Sequence, residues 1–308
     1  MFKKILVPLD GSRTAESALP YARALAEKMA LDVELISVTD SAAMALNVPS
    51  AEGLFLDKLV ENDSRELTQY LTEVAKSFLP TRTQCRVEKG APGTVIIDTA
   101  AADKDALIVM GTHGRSGLSR CLLGSVAEKV LRGTSNPLLL VRASDQARTE
   151  GQAKLESVLV PLDGSELGEL ALPPALDLAK SMNLEVVLVR AYELPATAYY
   201  RGEDYPPGAE AFIPSYEELV AAASAEAREY LDAKVKDLRS QGLEKVRSQV
   251  LAGAAGEEII KFSQNASGSL IAMCTHGRSG VTRWVLGSVT EKVVRHADAP
   301  VLVVRAPT

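Results

Sequence analysis

The chain is written twice, and that repetition constrains its fold more than any other feature. ILVPLDGS (Ile5–Ser12) returns as VLVPLDGS (Val158–Ser165), and NPLLLVRA (Asn136–Ala143) returns as APVLVVRA (Ala299–Ala306). VMGTHGRSGLSRCLLGSVAEKV (Val109–Val130) returns as AMCTHGRSGVTRWVLGSVTEKV (Ala272–Val293), with Cys274 where Gly111 stood. A period near half the length, with landmarks in the same order, means two copies of one folding unit. Between them SDQARTEGQAK is polar and lacks apolar periodicity, which marks a linker. The expected units are therefore residues 1–143 and 155–308, joined by 144–154. At 308 residues with 46% hydrophobic content, the chain can fill two cores. The second copy carries a longer segment, Ala191–Ser215, rich in Tyr, Pro and Gly, which reads as a loop suited to a lid or a contact arm.

Within the first copy, short apolar runs alternate with stretches of helical period. Strands are expected at Lys4–Leu9, Asp32–Val38, Gln84–Glu88, Ala106–Met110 and Pro137–Val141. Helices are expected at Ala15–Met29, Asp57–Phe78, Thr94–Ala102 and Ser125–Leu131. Pro20 predicts a kink or a late start in the first helix. Strands that are apolar throughout and separated by helices imply a parallel sheet covered on both faces, a doubly wound α/β domain. The Ala/Leu/Val stripe of the helix opening at Ser215 fits core packing better than a groove for a partner.

Charge and cysteine usage narrow the function. A net charge of −6 leaves no basic footprint for nucleic acid or an anionic membrane. Three cysteines, Cys85, Cys121 and Cys274, without CxxC spacing, argue against a zinc site or a disulfide framework and favour a reducing compartment. The apolar run at the N-terminus stops at Pro8 and Asp10, too short for a signal peptide or a membrane span. A cytoplasmic location is the expectation.

The chemistry concentrates in Gly111-x2-Gly114-x9-Gly124-Ser125. Glycines let backbone amides approach an anion, and a helix opening at Ser125 would add free amides and the positive end of its dipole. Ser125-Val-Ala-Glu128 has the spacing of a capping box, as does Ser288-Val-Thr-Glu291. A Walker A loop would need Gly-Lys-Ser/Thr after strand one, and a dinucleotide fingerprint would need G-x-G-x-x-G there; VPLDGS offers neither. In a doubly wound sheet the ligand crevice lies beyond the carboxyl ends of the strands. Asp10 after strand one and the glycine loop after strand four both open onto it if those strands are neighbours.

These motifs, ILVPLDGS, GTHGRSGLSRCLLGS and NPLLLVR, each present twice, resemble those of the universal stress protein family in its tandem, ATP-binding form. The resemblance covers both halves. It implies five parallel strands in the order 3-2-1-4-5 and a regulatory or protective role in the stress response, without enzymatic turnover beyond a weak ATPase. It also implies an ATP ligand, with or without Mg²⁺. In the first half it places Pro8, Leu9 and Asp10 in the pocket, with Asp10 bonding the ribose or organising the phosphate side, Val38 against adenine, and Met110, Gly111, His113, Gly114 and Arg115 along ribose and phosphates. Gly124, Ser125 and Val126 would hold the phosphates. In the second half the matching positions are Pro161, Leu162, Asp163, Ala191, Met273, Cys274, His276, Gly277, Arg278, Gly287, Ser288 and Val289. The family also pairs by its last strands, which implies an internal pseudo-dimer of the two halves, with a homodimer of chains left open.

Each residue has a plainer reading. Asp10 and Asp163 sit in Asp-Gly-Ser, a turn sequence. His113 and His276 have no nucleophile or carboxylate beside them in the motif, so loop structure or a phosphate contact is the better reading than catalysis. Arg115 and Arg278 fit a phosphate contact and a solvated surface equally well. Two departures weaken the second site: Cys274 for Gly111, and GAAG from Gly253 for GAPG from Gly90. If residue 274 needed positive φ, a side chain there would cost about 1 kcal/mol or more; ordinary β backbone would tolerate it. Two other functions remain open, a slow ATP hydrolase or phosphotransferase working through Asp10, and an interaction scaffold with vestigial pockets.

Overall fold

The computed structural model describes residues 2–46, 53–112, 123–143, 151–193, 215–275 and 286–305. The first half runs β1 (Lys4–Pro8), α1 (Arg13–Glu16), α2 (Leu19–Met29), β2 (Asp32–Thr39), α3 (Ser41–Ala45), α4 (Gly53–Lys76), β3 (Thr83–Lys89), α5 (Pro92–Ala101), β4 (Ala106–Gly111), α6 (Ser125–Gly133) and β5 (Leu138–Val141). The second runs β6 (Ser157–Pro161), α7 (Glu166–Glu169), α8 (Leu172–Met182), β7 (Glu185–Tyr192), α9 (Tyr216–Ser240), β8 (Val246–Ala252), α10 (Ala255–Asn265), β9 (Ser269–Cys274), α11 (Ser288–His296) and β10 (Val301–Val304).

The strands form one ten-stranded sheet in the order β3-β2-β1-β4-β5-β10-β9-β6-β7-β8. Each half is parallel and follows the 3-2-1-4-5 order, the second as the reverse image of the first. The halves meet antiparallel, Leu139 opposite Leu302. That pairing hides two edges, each four residues long and almost wholly apolar, that would otherwise offer unpaired N–H and C=O groups.

Alternation along the inner strands explains why β1, β4 and β5 are largely apolar, whereas the outer strands β3 and β8 are mixed. Ile5 and Val7 enter one core with residues of α2 and α4, while Leu6 enters the other with residues of α5 and α6. Both cores continue into the second half, through Val158 and Leu302 on one face and Leu159 and Val301 on the other.

Three local features differ from the sequence expectation. The helix expected at Ala15–Met29 is two helices, α1 and α2, and Pro20 occupies the first turn of α2, where its missing N–H has no bond to lose. Helix α3 was not foreseen; Asp40 caps it by accepting from the Ala43 amide at 3.0 Å. The capping boxes at Ser125 and Ser288 do not form. The N-caps are Gly124 and Gly287, with no side-chain cap bond, because each serine is already the first helical residue. Glu128 and Glu291 instead pair with Arg132 and Arg295 one turn on, at 3.1 and 3.0 Å. Helix α9 packs through Ala227, Leu231, Val235 and Leu238, and its box is complete: the Glu218 amide donates to Ser215 Oγ at 3.1 Å and the Ser215 amide to Glu218 Oε2 at 2.6 Å. Most of the linker, and 194–214 of the expected loop, lie outside the described residues.

Candidate functional site

β1 and β4 are hydrogen-bonded neighbours, so the turn after one faces the loop after the other. In the turn, Asp10 Oδ1 accepts from the Ser12 amide at 3.0 Å and from its hydroxyl at 2.5 Å, while Ser12 Oγ accepts from the Ala15 amide at 3.1 Å. Gly11, at φ 78, is what lets the carboxylate fold back over the following amide. The second half repeats the device: Asp163 accepts from the Ser165 amide at 2.9 Å, and Ser165 Oγ from the Gly168 amide at 3.0 Å. Asp10 and Asp163 therefore do organise their turns, as the plainer reading holds, and both also line a cavity.

Across from the turn, the Thr112 amide donates to Val141 at 2.9 Å and the Gly124 amide to the Thr112 carbonyl at 2.7 Å. These bonds close the base of the glycine loop and aim the start of α6 back at β4. Thr275 does the same for Gly287, at 2.8 Å. His113, Gly114 and Arg115, and likewise His276, Gly277 and Arg278, lie outside the described residues.

The first cavity has a volume of about 400 Å³. Pro8, Leu9, Asp10, Val38, Met110, Gly111, Gly124, Ser125 and Val126 all line it. The sequence reading missed its outer wall, where Ala43 and Met44 of α3 and Asp63 and Leu67 of α4 join Asp40. The one legible signal was Asp40-Ser-Ala-Ala, an N-cap residue directly after a strand. Apolar side chains thus share the first cavity with three carboxylates, Asp10, Asp40 and Asp63, and with the start of α6.

The second cavity measures about 280 Å³ and is lined by Pro161, Leu162, Asp163, Ala191, Met273, Cys274, Gly287, Ser288 and Val289. Pro92 of the first wall is replaced by Ala255. Cys274 is buried, at 4% exposure. Gly111, its counterpart, sits in extended strand and is not among the glycines with positive φ, so backbone strain is not at issue. Space is the constraint: a Cβ on Gly111 would lie 2.4 Å from the Thr14 carbonyl oxygen and 3.3 Å from Ala15 Cα. In the second half Gly168 stands where Ala15 stood. Gly168 is itself closely approached, since a Cβ there would lie 2.7 Å from Asp163 Oδ1. Thr290, in place of Ala127, adds a hydrogen bond to the Cys274 carbonyl at 2.8 Å.

A tyrosine holds each turn from behind. Tyr70 donates to Glu16 at 2.9 Å and Tyr230 to Glu169 at 2.7 Å; burial and these carboxylates push both phenols well above their ordinary range. Burial alone would raise the Glu169 carboxyl, but hydrogen bonds from Lys234 and Tyr230 hold it below its ordinary value. Arg190 stacks over the Tyr230 ring at 4.8 Å and pairs with Glu226 at 2.8 Å.

Residues 1–142 and 154–305 each match the universal stress protein family. The chain belongs to the universal stress protein family. A universal stress protein of Mycobacterium tuberculosis is 24% identical over 306 residues, covering 98% of this chain and 96% of that protein. One from Methanocaldococcus jannaschii is 32% identical over 160 residues, 46% of this chain and 96% of its own length. The solved universal stress protein of Archaeoglobus fulgidus DSM 4304 shares the fold, with a TM-score of 0.67 and 21% identity over 98% of this chain and 96% of that one. No helix among the described residues is long and apolar enough to cross a membrane.

Proposed function

We propose that this universal stress protein binds ATP in both halves and acts as a nucleotide-dependent regulator or protective module in the stress response. The observation that carries the reading is the first cavity. Its volume of about 400 Å³ falls within the range of small-molecule sites, and its lining includes the start of a helix whose N-cap, Gly124, has no side chain to occupy the first amides. In this reading adenine lies against Val38 and Met110, Asp10 holds the ribose side, and the amides of Gly124, Ser125 and Val126 hold phosphate. Gly111, with Pro8 and Leu9, shapes the floor; His113, Gly114 and Arg115 complete the loop, with or without Mg²⁺ on the phosphates.

The second site follows the same plan through Asp163, Ala191, Met273, Gly287, Ser288 and Val289, with His276, Gly277 and Arg278 in its loop. Its smaller cavity and buried Cys274 make it the weaker one. The two halves act as a pseudo-dimer joined at β5 and β10. Free thiols at Cys85 and Cys274 fit a cytoplasmic setting.

The chain is read as a binder and not as a dedicated enzyme, because Asp10 is engaged in its own turn and Asp40 in capping α3. Two measurements test this. Ligand released from purified protein should be adenine nucleotide, and ATP consumption should stay well below about one per second. Turnover above that rate would favour the hydrolase, and protein without nucleotide or thermal response to ATP would favour the scaffold.

A further inference from the structure

Both halves end their last strand in Val-Arg-Ala, at Val141–Ala143 and Val304–Ala306. Each arginine reaches into the opposite half. Arg305 donates from NH1 to the Thr134 carbonyl at 2.6 Å and from NH2 to the Arg132 carbonyl at 2.7 Å, at the C-terminal end of α6. Arg142 donates from NH1 to the carbonyl of His296, the last residue of α11, at 3.0 Å, and lies 3.6 Å from Asp298 Oδ1. The antiparallel register explains the crossing: with Leu140 opposite Val301, the residue after β5 is carried to the segment where α11 ends and β10 begins.

The last carbonyls of a helix have no partner within it and carry the negative end of its dipole, so a guanidinium satisfies both hydrogen bonding and charge there. The helices held in this way are the two that open at the cavities. Each is nine residues long, about 13 Å, short enough that fixing its end fixes its start. A further contact ties them together, Arg295 of α11 to Glu128 in the first turn of α6 at 3.6 Å.

We propose that Arg305 and Arg142 are crossed positioning residues: each orients the ligand-binding helix of the half to which it does not belong. The inference rests on the nucleotide reading above, and it means that each site is completed by the opposite half of the chain.

Hydrogen exchange and ATP titration of the full chain test it together. Arg305→Gln should speed amide exchange across 125–133 by about three- to tenfold while sparing 288–296, and Arg142→Gln should do the reverse. ATP affinity of the first site, read with the second blocked by Ser288→Glu, should fall about three- to tenfold in Arg305→Gln and hold in Arg142→Gln. Arg305→Lys, which keeps the charge, should recover part of the loss. A merely structural arginine would lower both sites together, and that result overturns the inference, as would a loss confined to its own half or no change in exchange. If the unmodified chain takes up no ATP, the nucleotide reading fails and this inference falls with it. Intact ATP binding with unshifted exchange defeats this inference alone.

Discussion

At residue 274 the question is how a cysteine fits where its counterpart is a glycine. A side chain at Gly111 would press on the Thr14 carbonyl oxygen at 2.4 Å and on Ala15 Cα at 3.3 Å, whereas Cys274 is accommodated, buried, at the matching position of the other half. Gly111→Cys alone should therefore destabilise the chain by about 1–3 kcal/mol. Gly168→Ala should cost a similar amount, because the new methyl would meet Asp163. Urea unfolding checks both, and an unchanged stability in either variant would show that its surroundings relax around the added atoms. Glu169 makes a second prediction at this scale. Its folded carboxyl titrates below the unfolded value of 4.5, so its contribution is fully present above that pH and is lost as pH falls through the folded value. The stability gap between the unmodified chain and Glu169→Gln should close on acidification from about pH 6 to about pH 3. A gap that stays constant across that window would mean that the Lys234 and Tyr230 contacts do not stabilise the charged form.

At the scale of elements, α2 and α8 end alike but not equally well. Both stop on a left-handed residue, Ala30 at φ 52 and Asn183 at φ 58. Asparagine tolerates that conformation and alanine does not, so Ala30→Gly should stabilise the chain by about 0.5–1 kcal/mol in chemical denaturation. A loss of stability would mean that packing of the Ala30 methyl outweighs its strain. The five strands and α4 were legible because short apolar runs and a 3.6-residue period leave different traces in sequence. The break between α1 and α2 was legible only as an anomaly at Pro20. α3 was not, because a helix of five residues is too short to carry a period. The helix starts at Ser125 and Ser288 were found, yet their caps were misassigned by one residue: serine and glutamate at the right spacing do not by themselves say which residue is the first helical one. The outer wall of the first cavity, with Asp63 and Leu67, is invisible to any local pattern, since tertiary packing alone brings α4 to it.

Over the whole molecule, the duplication in sequence becomes one continuous sheet, in which two short apolar edges cover one another and two cores run across the junction. The same junction carries the crossed arginines, so the contact that hides the edges also supports both cavities. The halves are nevertheless unequal: three carboxylates line the first cavity and one lines the second, which is also smaller. Both cavities are proposed to take ATP on the helix starts at Ser125 and Ser288. Calorimetric titration with ATP of the unmodified chain, Ser125→Glu and Ser288→Glu tests it most directly. Glutamate is favourable in a first helical turn, so each substitution preserves its helix while repelling phosphate. Two sites of unequal affinity in the unmodified chain are predicted, with the tighter lost in Ser125→Glu and the weaker lost in Ser288→Glu. No heat of binding at millimolar ATP, or two sites that survive in both variants, would contradict it.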